Sequence, residues 1–398
     1  MYTLTKEKLY DDLLAAYKKA KINKTSKPYV ISFEKKHEEK LKKLCDDLYN
    51  KKYKPSQSSC FIVNHPKKRE IFAAQFIDRI VHHLYFEYTH ELYEQTFIVD
   101  SYSCIKNKGT HYGINRLKQH ILKESQNYQK TCYVLQMDIK GYFIHINRKN
   151  LIKISEKQLD KMKKHKNKNG VFFDKYLDFD FIKYLGKIII SINPTENCNI
   201  ISHKFEWIGL PSSKSLFNTD NDFGLPIGNL TSQLMSNVYL NELDQFVKRQ
   251  LKCKHYGRYV DDFYIVSCDK EFLHEIIPKI KFFLKENLLL DIHDGKTKIT
   301  NIKQGIEFLG AFIKPYRTYI SNKTLKRIKY KLFKMQNEGI YSDQTFSINS
   351  YLGILKHYST FKLRKGLFKK ITKLYKFGVF NKNYTKFIPL QKINKHKN

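Results

Sequence analysis

Two adjacent aspartates, Asp261 and Asp262, sit inside the largely apolar run Tyr256-Gly257-Arg258-Tyr259-Val260-Asp261-Asp262-Phe263-Tyr264-Ile265-Val266. The β-branched and aromatic residues on either side predict two strands, with the carboxylates at the tip of a hairpin. Neighbouring carboxylates repel and shift each other's pKa, so a pair kept in apolar surroundings calls for a cation. Hard oxygen ligands favour a divalent ion such as Mg²⁺. The plainer alternative is an exposed turn, where Asp is common on its own account. A third acid bears on the choice. Tyr133-Val134-Leu135-Gln136-Met137-Asp138 reads as an apolar strand ending on a carboxylate, followed by Ile139-Lys140, a turn at Gly141 and the aromatic pair Tyr142-Phe143.

Basic and glycine-bearing stretches lie on both sides of these acids. Cys60-Phe61-Ile62-Val63 and Glu70-Ile71-Phe72 read as short strands joined through the turn Asn64-His65-Pro66 and the basic Lys67-Lys68-Arg69. Such a hairpin can fold over a triphosphate with Arg69 gripping it in bidentate fashion, and a solvated charged turn is the equal alternative. Gly224-Leu225-Pro226-Ile227-Gly228-Asn229-Leu230-Thr231-Ser232-Gln233 is a turn leading into a helix over 234–248. Its glycines let backbone approach a ligand, and Thr231 or Ser232 at the helix start would leave amide donors facing it. Lys106-Asn107-Lys108-Gly109-Thr110-His111 is a basic loop opening another helix, suited to an anion. Gly295-Lys296-Thr297-Lys298 is a basic turn.

The whole chain shares that bias. Its 398 residues include 73 Lys and Arg against 38 Asp and Glu, a formal charge of +35. A polyanion partner, nucleic acid first, is the leading expectation; a composition rich in Lys, Asn and Ile for unrelated reasons is the alternative. Phe and Tyr number 28 each and interleave with the lysines, which suits grooves that stack bases while screening phosphates. Most of those rings are expected in the core. The seven cysteines form no CxxC pair, so we expect a reducing compartment and no structural zinc. Cys253-Lys254-His255 reads as strand packing. The first residues lack a signal-peptide core, and the longest aliphatic run, 188–192, is broken by Ser191 and too short to span a bilayer. The expectation is a cytoplasmic protein of two or three subdomains with no membrane partner.

Helical spacing predicts two leading helices, over 4–20 and 33–50, and a third through Phe76, Ile80, Val81, Leu84 and Tyr85, with Asp78 and Arg79 as a local ion pair. Adjacent His82 and His83 cannot share a helix face and are read as packing or RNA-facing residues. Residues 151–170 read as a Lys-rich solvent loop touching phosphates nonspecifically, and 193–223, with the single Trp207, as a polar loop of no assigned role. A helix over 270–287, a strand over 288–292, a hairpin from 306–312 to 317–320 and a basic helical end from 323 complete the chain.

In this order the basic hairpin, acid-ended strand, Gly-Pro turn, Asp-Asp hairpin, basic turn and Phe308-Leu309-Gly310 hairpin resemble the motif series of reverse transcriptases. Tyr259-Val260-Asp261-Asp262 is similar to their YxDD hairpin, and Asp138 to Phe143 to their first palm motif. The resemblance implies an α+β right-hand polymerase fold. Its parts would be an N-terminal helical extension (1–58), fingers (59–136), a first palm strand (137–150), a fingers–palm insertion (151–223), the rest of an antiparallel palm sheet packed by helices (224–320), and a basic helical thumb (321–398). It also implies two Mg²⁺ ions, replaceable by Mn²⁺, bridged by Asp138 and Asp261 with Asp262 in support and the Ile139 backbone alongside. Nucleotide contacts fall to Arg69, Ile139, Phe143, Ile227, Gly228 and Lys296. Among these Arg69 clamps the triphosphate, Phe143 is a steric gate against a ribose 2′-hydroxyl with Tyr142 in the core, and Lys296 or Lys298 donates a proton to pyrophosphate. Template and primer contacts fall to Lys108, Asn229, Ser232 and Gln233.

Within that class the chain is similar to bacterial enzymes of diversity-generating retroelements and related antiphage-defence reverse transcriptases. The likeness rests on Lys67-Lys68-Arg69-Glu70-Ile71-Phe72-Ala73-Ala74, Lys108-Gly109-Thr110-His111-Tyr112-Gly113 and Leu225 to Gln233. Most retroviral and intron enzymes carry glutamine at the Ile227 position and proline at the Gln233 position. An aliphatic group cannot hydrogen-bond an incoming nucleotide as an amide does, which implies altered, looser base discrimination. The implied activity is that of an RNA-directed DNA polymerase copying a structured noncoding or template RNA. Its partners would be dNTPs, the DNA product, and an accessory protein, a second reverse transcriptase or another copy of the chain. A chain ending at 398 is expected to lack endonuclease and integrase modules. Two other classes stay open. One is an RNA-binding scaffold with a polymerase fold and dispensable catalysis; the other is a nuclease or unrelated metal phosphotransferase, which the Gly-Pro turn and the Phe-Leu-Gly hairpin speak against.

Overall fold

Leu9, Leu13, Ala16, Tyr17 and Ala20 recur at helical spacing and are buried along one side of α1 (Lys6–Ala20), whose start is capped by Thr5 accepting from the Lys8 N–H. In this computed structural model, which describes residues 2–64, 67–338 and 344–390, two further helices follow rather than one: α2 (Pro28–Glu34) and α3 (His37–Tyr49). Pro28 makes the difference, because it sits at a helix start where its missing N–H leaves no bond unmade. The chain divides into two units, one built from residues up to 109, 136–265 and 271–297, the other from 110–135, 266–270 and 298 onward.

In the first unit β1 (Ser58–Val63) and β2 (Arg69–Ala73) pair antiparallel as expected, with Cys60 opposite Phe72. Of the turn predicted between them, His65 and Pro66 lie outside the described residues. α4 (Phe76–Glu94) buries Ile80, Val81, Leu84 and Tyr85. The expected Asp78–Arg79 pair is not formed, since consecutive helical residues point apart. Asp78 is buried and accepts from the Tyr53 hydroxyl at 2.7 Å and the Ser56 N–H at 3.2 Å. Arg79 donates to the Ala74 carbonyl at 2.8 Å and lies over the Tyr29 ring.

After α5 (Thr110–Glu124), which belongs to the second unit, come β3 (Tyr133–Asp138), the single turn α6 (Tyr142–His145) and α7 (Arg148–Met162). α7 replaces most of the predicted solvent loop. Its lysines mask a stripe of Leu151, Ile154, Leu159 and Met162 that is buried, and Asn147 caps it by accepting from the Asn150 N–H at 2.9 Å. α8 (Phe179–Ser191) follows, and the predicted polar loop contains β4 (Cys198–Ile200), which pairs parallel with β1 to give the sheet order β2-β1-β4. α9 (Leu230–Gln245) starts at Leu230 rather than Leu234 and runs into a wider turn at Phe246–Gln250. β5 (His255–Tyr259) and β6 (Asp262–Ser267) form the predicted hairpin, and α10 (Lys270–Leu288) the predicted helix. The sheet order is β5-β6-β3, and β7 (Lys298–Asn301) belongs to the second unit. The strand expected over 288–292 is absent: α10 runs to Leu288, Leu289 turns at φ +53, and Ile292 makes only an isolated bridge to Ile139.

The second unit contains β8 (Ile306–Phe308), β9 (Ala311–Lys314) and β10 (Arg317–Ile320) in the order β10-β9-β8. The single strand expected over 306–312 is thus two, because Leu309 and Gly310 both adopt positive φ (47° and 83°) and reverse the chain. α11 (Asn322–Glu338), α12 (Gln344–Leu355) and α13 (Phe361–Lys369) match the helical end, to which a short hairpin, β11 (Gly378–Phe380) and β12 (Phe387–Pro389), is added. The fold class is α+β, as expected. Among the described residues no helix is long and apolar enough to cross a membrane.

Candidate active site

β3 ends on Asp138, and the chain beyond it is held by two backbone bonds, His293 N–H to the Asp138 carbonyl and Lys140 N–H to the Asp291 carbonyl, each 2.8 Å. Those bonds flank the bridge of Ile139 to Ile292, so the N–H and C=O of Ile139 itself point away from Ile292. Gly141 then takes φ +54 to start α6, and a Cβ there would meet the His145 ring at 2.7 Å. The turn places Tyr142 in the core, its hydroxyl donating to the Ser236 carbonyl at 2.5 Å. Phe143 is left half-buried, its carbonyl accepting from the Leu225 N–H at 2.8 Å. The backbone of the expected gate residue is therefore tied to the start of the Gly-Pro turn.

The other two acids come from the β5–β6 hairpin. Val260, at its tip, has φ +56, a conformation that costs a β-branched residue strain. The three carboxyls gather in one place. Asp138 and Asp262 come within hydrogen-bonding reach of each other, and Asp261 feels the charge of Asp138. Loss of hydration, then the charge of Asp138, raise the pKa of Asp261, while Lys296 and Arg69 pull it back. Asp262 keeps an exposed edge, yet enough protein surrounds its carboxyl that poor hydration, the bond with Asp138 and the charges of Asp261 and Asp138 push it up to about 7. Lys296, at the end of a tight turn (Asp294–Lys296), places its ammonium on the Asp138 carboxylate. Partial burial works against that ammonium, but the hydrogen bond and charge of Asp138 outweigh it and raise its pKa. Of the two lysines considered as proton donors, Lys296 is the one joined to an acid of this cluster.

Crowded carboxylates with raised pKa values, one of them bearing a lysine cation, suit a site that takes further positive charge. Among the described residues no three His, Cys, Asp or Glu side chains close around a single point as a metal cage. Mg²⁺ suits such a partial set, since it takes one or two carboxylates and completes its shell with water and substrate phosphates. The residues present fit that ion.

Arg69 begins β2 exposed, and its charge reaches Asp261. Its neighbour Lys68 instead donates to the carbonyls of Glu206 and Ile208, at 2.8 and 2.7 Å. The Gly-Pro turn lies against β2. Ile227 is half-buried and its carbonyl accepts from the Phe72 N–H at 3.2 Å. Gly228 has φ +128, and a Cβ there would approach Ile71 to 3.0 Å, so this close seat needs glycine. Asn229, not Thr231 or Ser232, is the N-cap of α9, and its side chain accepts from the Ala74 N–H at 3.2 Å instead of capping the helix. Thr231 and Ser232 are buried, Thr231 against the ring of His82 at 2.8 Å. Gln233 is exposed and accepts from the Cys104 thiol at 3.4 Å. Lys108 donates to the Val99 carbonyl at 2.7 Å, bracing its own loop. Asp138, Asp261, Asp262, Lys296 and Arg69 are therefore brought together electrostatically, with Phe143 joined to the Gly-Pro turn.

Two supports escape sequence reasoning. Glu70, next to Arg69, is buried and accepts from Trp207 Nε1 at 2.7 Å, Ser215 Oγ at 2.8 Å and the Leu216 N–H at 2.7 Å. An acid at an inward strand position was the available signal. Arg148 donates to the carbonyls of Phe223 and Gly224, at 2.6 and 3.0 Å, and to that of Asn221, holding the approach to Leu225. Nothing local marks it, because its partners are backbone.

The chain is similar to known proteins. Protein YkfC of Escherichia coli (strain K12) is 23% identical over 304 residues, covering 68% of this chain and 70% of that protein. The group II intron-encoded protein LtrA of Lactococcus lactis subsp. cremoris is 22% identical over 347 residues, 71% of this chain but 51% of LtrA, so the chain spans about half the length of that relative. Apo telomerase from Candida tropicalis, truncated from its C-terminal domain, superposes with a TM-score of 0.43 and 13% identity over 67% of this chain and 55% of that one. Telomerase from Candida albicans in complex with a TWJ fragment of telomeric RNA gives 0.45 and 12%, over 83% and 59%. Residues 54–313, more than half of the sequence, match the family described as reverse transcriptase (RNA-dependent DNA polymerase), and the chain belongs to that family.

Proposed function

We propose that the chain is an RNA-directed DNA polymerase that extends a primer on a structured cognate RNA. The observation that carries this reading is the meeting of Asp138, Asp261 and Asp262 with Lys296 and Arg69. Two Mg²⁺ ions, or Mn²⁺, held by Asp138 and Asp261 beside Asp262 and the Ile139 backbone, would supply Lewis-acid activation of the primer hydroxyl and neutralise the phosphates. The chain's own groups do the rest. Arg69 orients the triphosphate through a planar fork that matches phosphate oxygens. Lys296, once released from Asp138, offers its proton to the departing pyrophosphate. Phe143 leaves no room for a 2′-hydroxyl, and Gly228 lets the turn bearing Ile227 lie close to β2. Catalysis is then mainly positioning and charge neutralisation.

The basic helical end acts as thumb, the β1–β2 hairpin as part of the fingers, and the β5-β6-β3 sheet as palm. A retroelement or antiphage-defence setting in the bacterial cytoplasm, with an accessory protein, a second reverse transcriptase or another copy as partner, follows from the resemblance of Leu225 to Gln233. Primer extension on an RNA template with Mg²⁺ tests the reaction. Wild type should extend and Asp261→Asn should not; no extension by wild type on any RNA template would overturn the reading in favour of an RNA-binding scaffold. Steady-state misincorporation should fall in Ile227→Gln, and an unchanged error rate would remove the link between that side chain and base selection.

A further inference from the structure

The largest fully buried side chains include a charged one, Arg258, just before the tyrosine of the Asp-Asp hairpin. A guanidinium keeps its charge in any protein setting, so once cut off from water it depends wholly on its partners. Nε and Nη2 of Arg258 donate to the two carboxylate oxygens of Asp244, at 2.8 and 2.6 Å, and the Tyr256 hydroxyl donates to the same carboxylate at 2.6 Å. Nη1 has a different task. It donates to the Val260 carbonyl at 3.0 Å and to Asn237 Oδ1 at 3.2 Å, while Nη2 also reaches Ser101 Oγ at 3.4 Å. The backbone is pinned as well, Arg258 N–H to the Asp100 carbonyl at 2.9 Å and Tyr102 N–H to the Arg258 carbonyl at 3.0 Å.

Val260 is the strained residue of the turn, at φ +56. Such a conformation persists only where its surroundings over-determine it. A buried ion pair is a poor stabiliser compared with apolar residues of the same volume, so its presence directly beneath the turn points to a use other than stability. We infer that Arg258, gripped by Asp244, is a positioning residue that holds the Val260 turn in its strained form and so keeps Asp261 beside Asp138. The inference rests on Asp261 being a catalytic carboxylate. Asp244 and Asn237 both belong to α9, the helix that begins at the Gly-Pro turn. Through them the nucleotide-facing turn and the Asp pair share one rigid support, as a site requires when its geometry must hold to a fraction of an ångström.

Arg258→Lys tests this in the full-length chain. Lysine retains the charge that balances Asp244, but one ammonium cannot make a two-point contact with Asp244 and reach the Val260 carbonyl as well. Leu273→Ala, a buried apolar truncation in α10, controls for lost stability. Hydrogen–deuterium exchange of the peptide spanning 258–264 should be about tenfold faster in Arg258→Lys and unchanged in Leu273→Ala. The kcat for primer extension should fall about tenfold or more in Arg258→Lys, with the KM for dNTP and the affinity for RNA held. Exchange at the wild-type rate in Arg258→Lys overturns the clamp whatever the activity does, and so does faster exchange without loss of kcat. Faster exchange in a protein whose wild type extends no primer supports the clamp and counts instead against the polymerase reading.

Discussion

The β5–β6 hairpin and the helix α11 are both defined by charge and use it in opposite ways. In the hairpin region each charge has a named neighbour: Asp138 meets Lys296, Asp262 meets Asp138, and Arg258 meets Asp244. α11 carries Lys323, Lys326, Arg327 and Lys329, all exposed, on a helix whose sequence holds a single acid, Glu338. Where water is scarce a charge acts through its position, and one misplaced ångström matters. Where water screens, charges act through their sum. Single substitutions should therefore have large effects in the first region and small ones in the second.

The largest effect belongs to Asp138→Asn, which keeps the shape and removes the charge. Extension should fall by about a thousandfold or more, with RNA binding in a filter assay nearly unchanged; a variant retaining a tenth of the activity would break the contrast. Lys296→Met follows, with kcat down about a hundredfold in single-nucleotide incorporation and little change in the KM for dNTP. A matching loss in KM would make Lys296 a binding residue instead.

A buried group that stays neutral sharpens the comparison from another side. Burial, then the charges of His83 and Arg79, lower His82 from 6.5 to about 4. The unfolded chain therefore takes up the proton first as acid is added. The stability held by neutral His82 is fully present above about 6.5 and drains as pH falls towards 4, by about 3 kcal/mol in all. Denaturant melts across that window should show a shallower acid decline in His82→Gln, and equal slopes would mean His82 is not buried neutral. The smallest effect is expected on α11. Lys326→Ala should weaken RNA binding a few-fold and lower the salt slope of log K by about 0.9. A loss as large as that in Lys296→Met would show that α11, too, works by position.

Asp138, Asp261 and Asp262 could be found in the sequence because each acid breaks an apolar strand, a conflict that local patterning makes visible. Arg69 could be named from its basic hairpin, and Lys296 from the resemblance to reverse transcriptases, which singles out its basic turn. Arg148 could not, as its partners are backbone carbonyls in a segment that reads as featureless, and Glu70 offered only its inward strand position. Arg258 was hidden differently: one arginine between a glycine and a tyrosine gives no sign that it is buried. The misread stretches have separate causes. In 151–162 the lysines concealed an apolar stripe, and in 306–312 two residues at positive φ folded one apparent strand into two.

The sequence by itself determined the order of the strands and helices that carry Asp138, Asp261 and Asp262, because this depends on local periodicity and on the cost of charge in apolar surroundings, while its resemblance to reverse transcriptases implied the α+β class and the role proposed for those acids. Only the tertiary structure decided that Lys296 rests on Asp138, that the Gly-Pro turn seats on β2 through Gly228, and that Arg258 reaches the Val260 carbonyl from the core. The first two join residues far apart along the chain, the third depends on the burial of Arg258 against α9, and the energies of all three depend on burial and on distances of about 3 Å that no pattern of neighbours encodes.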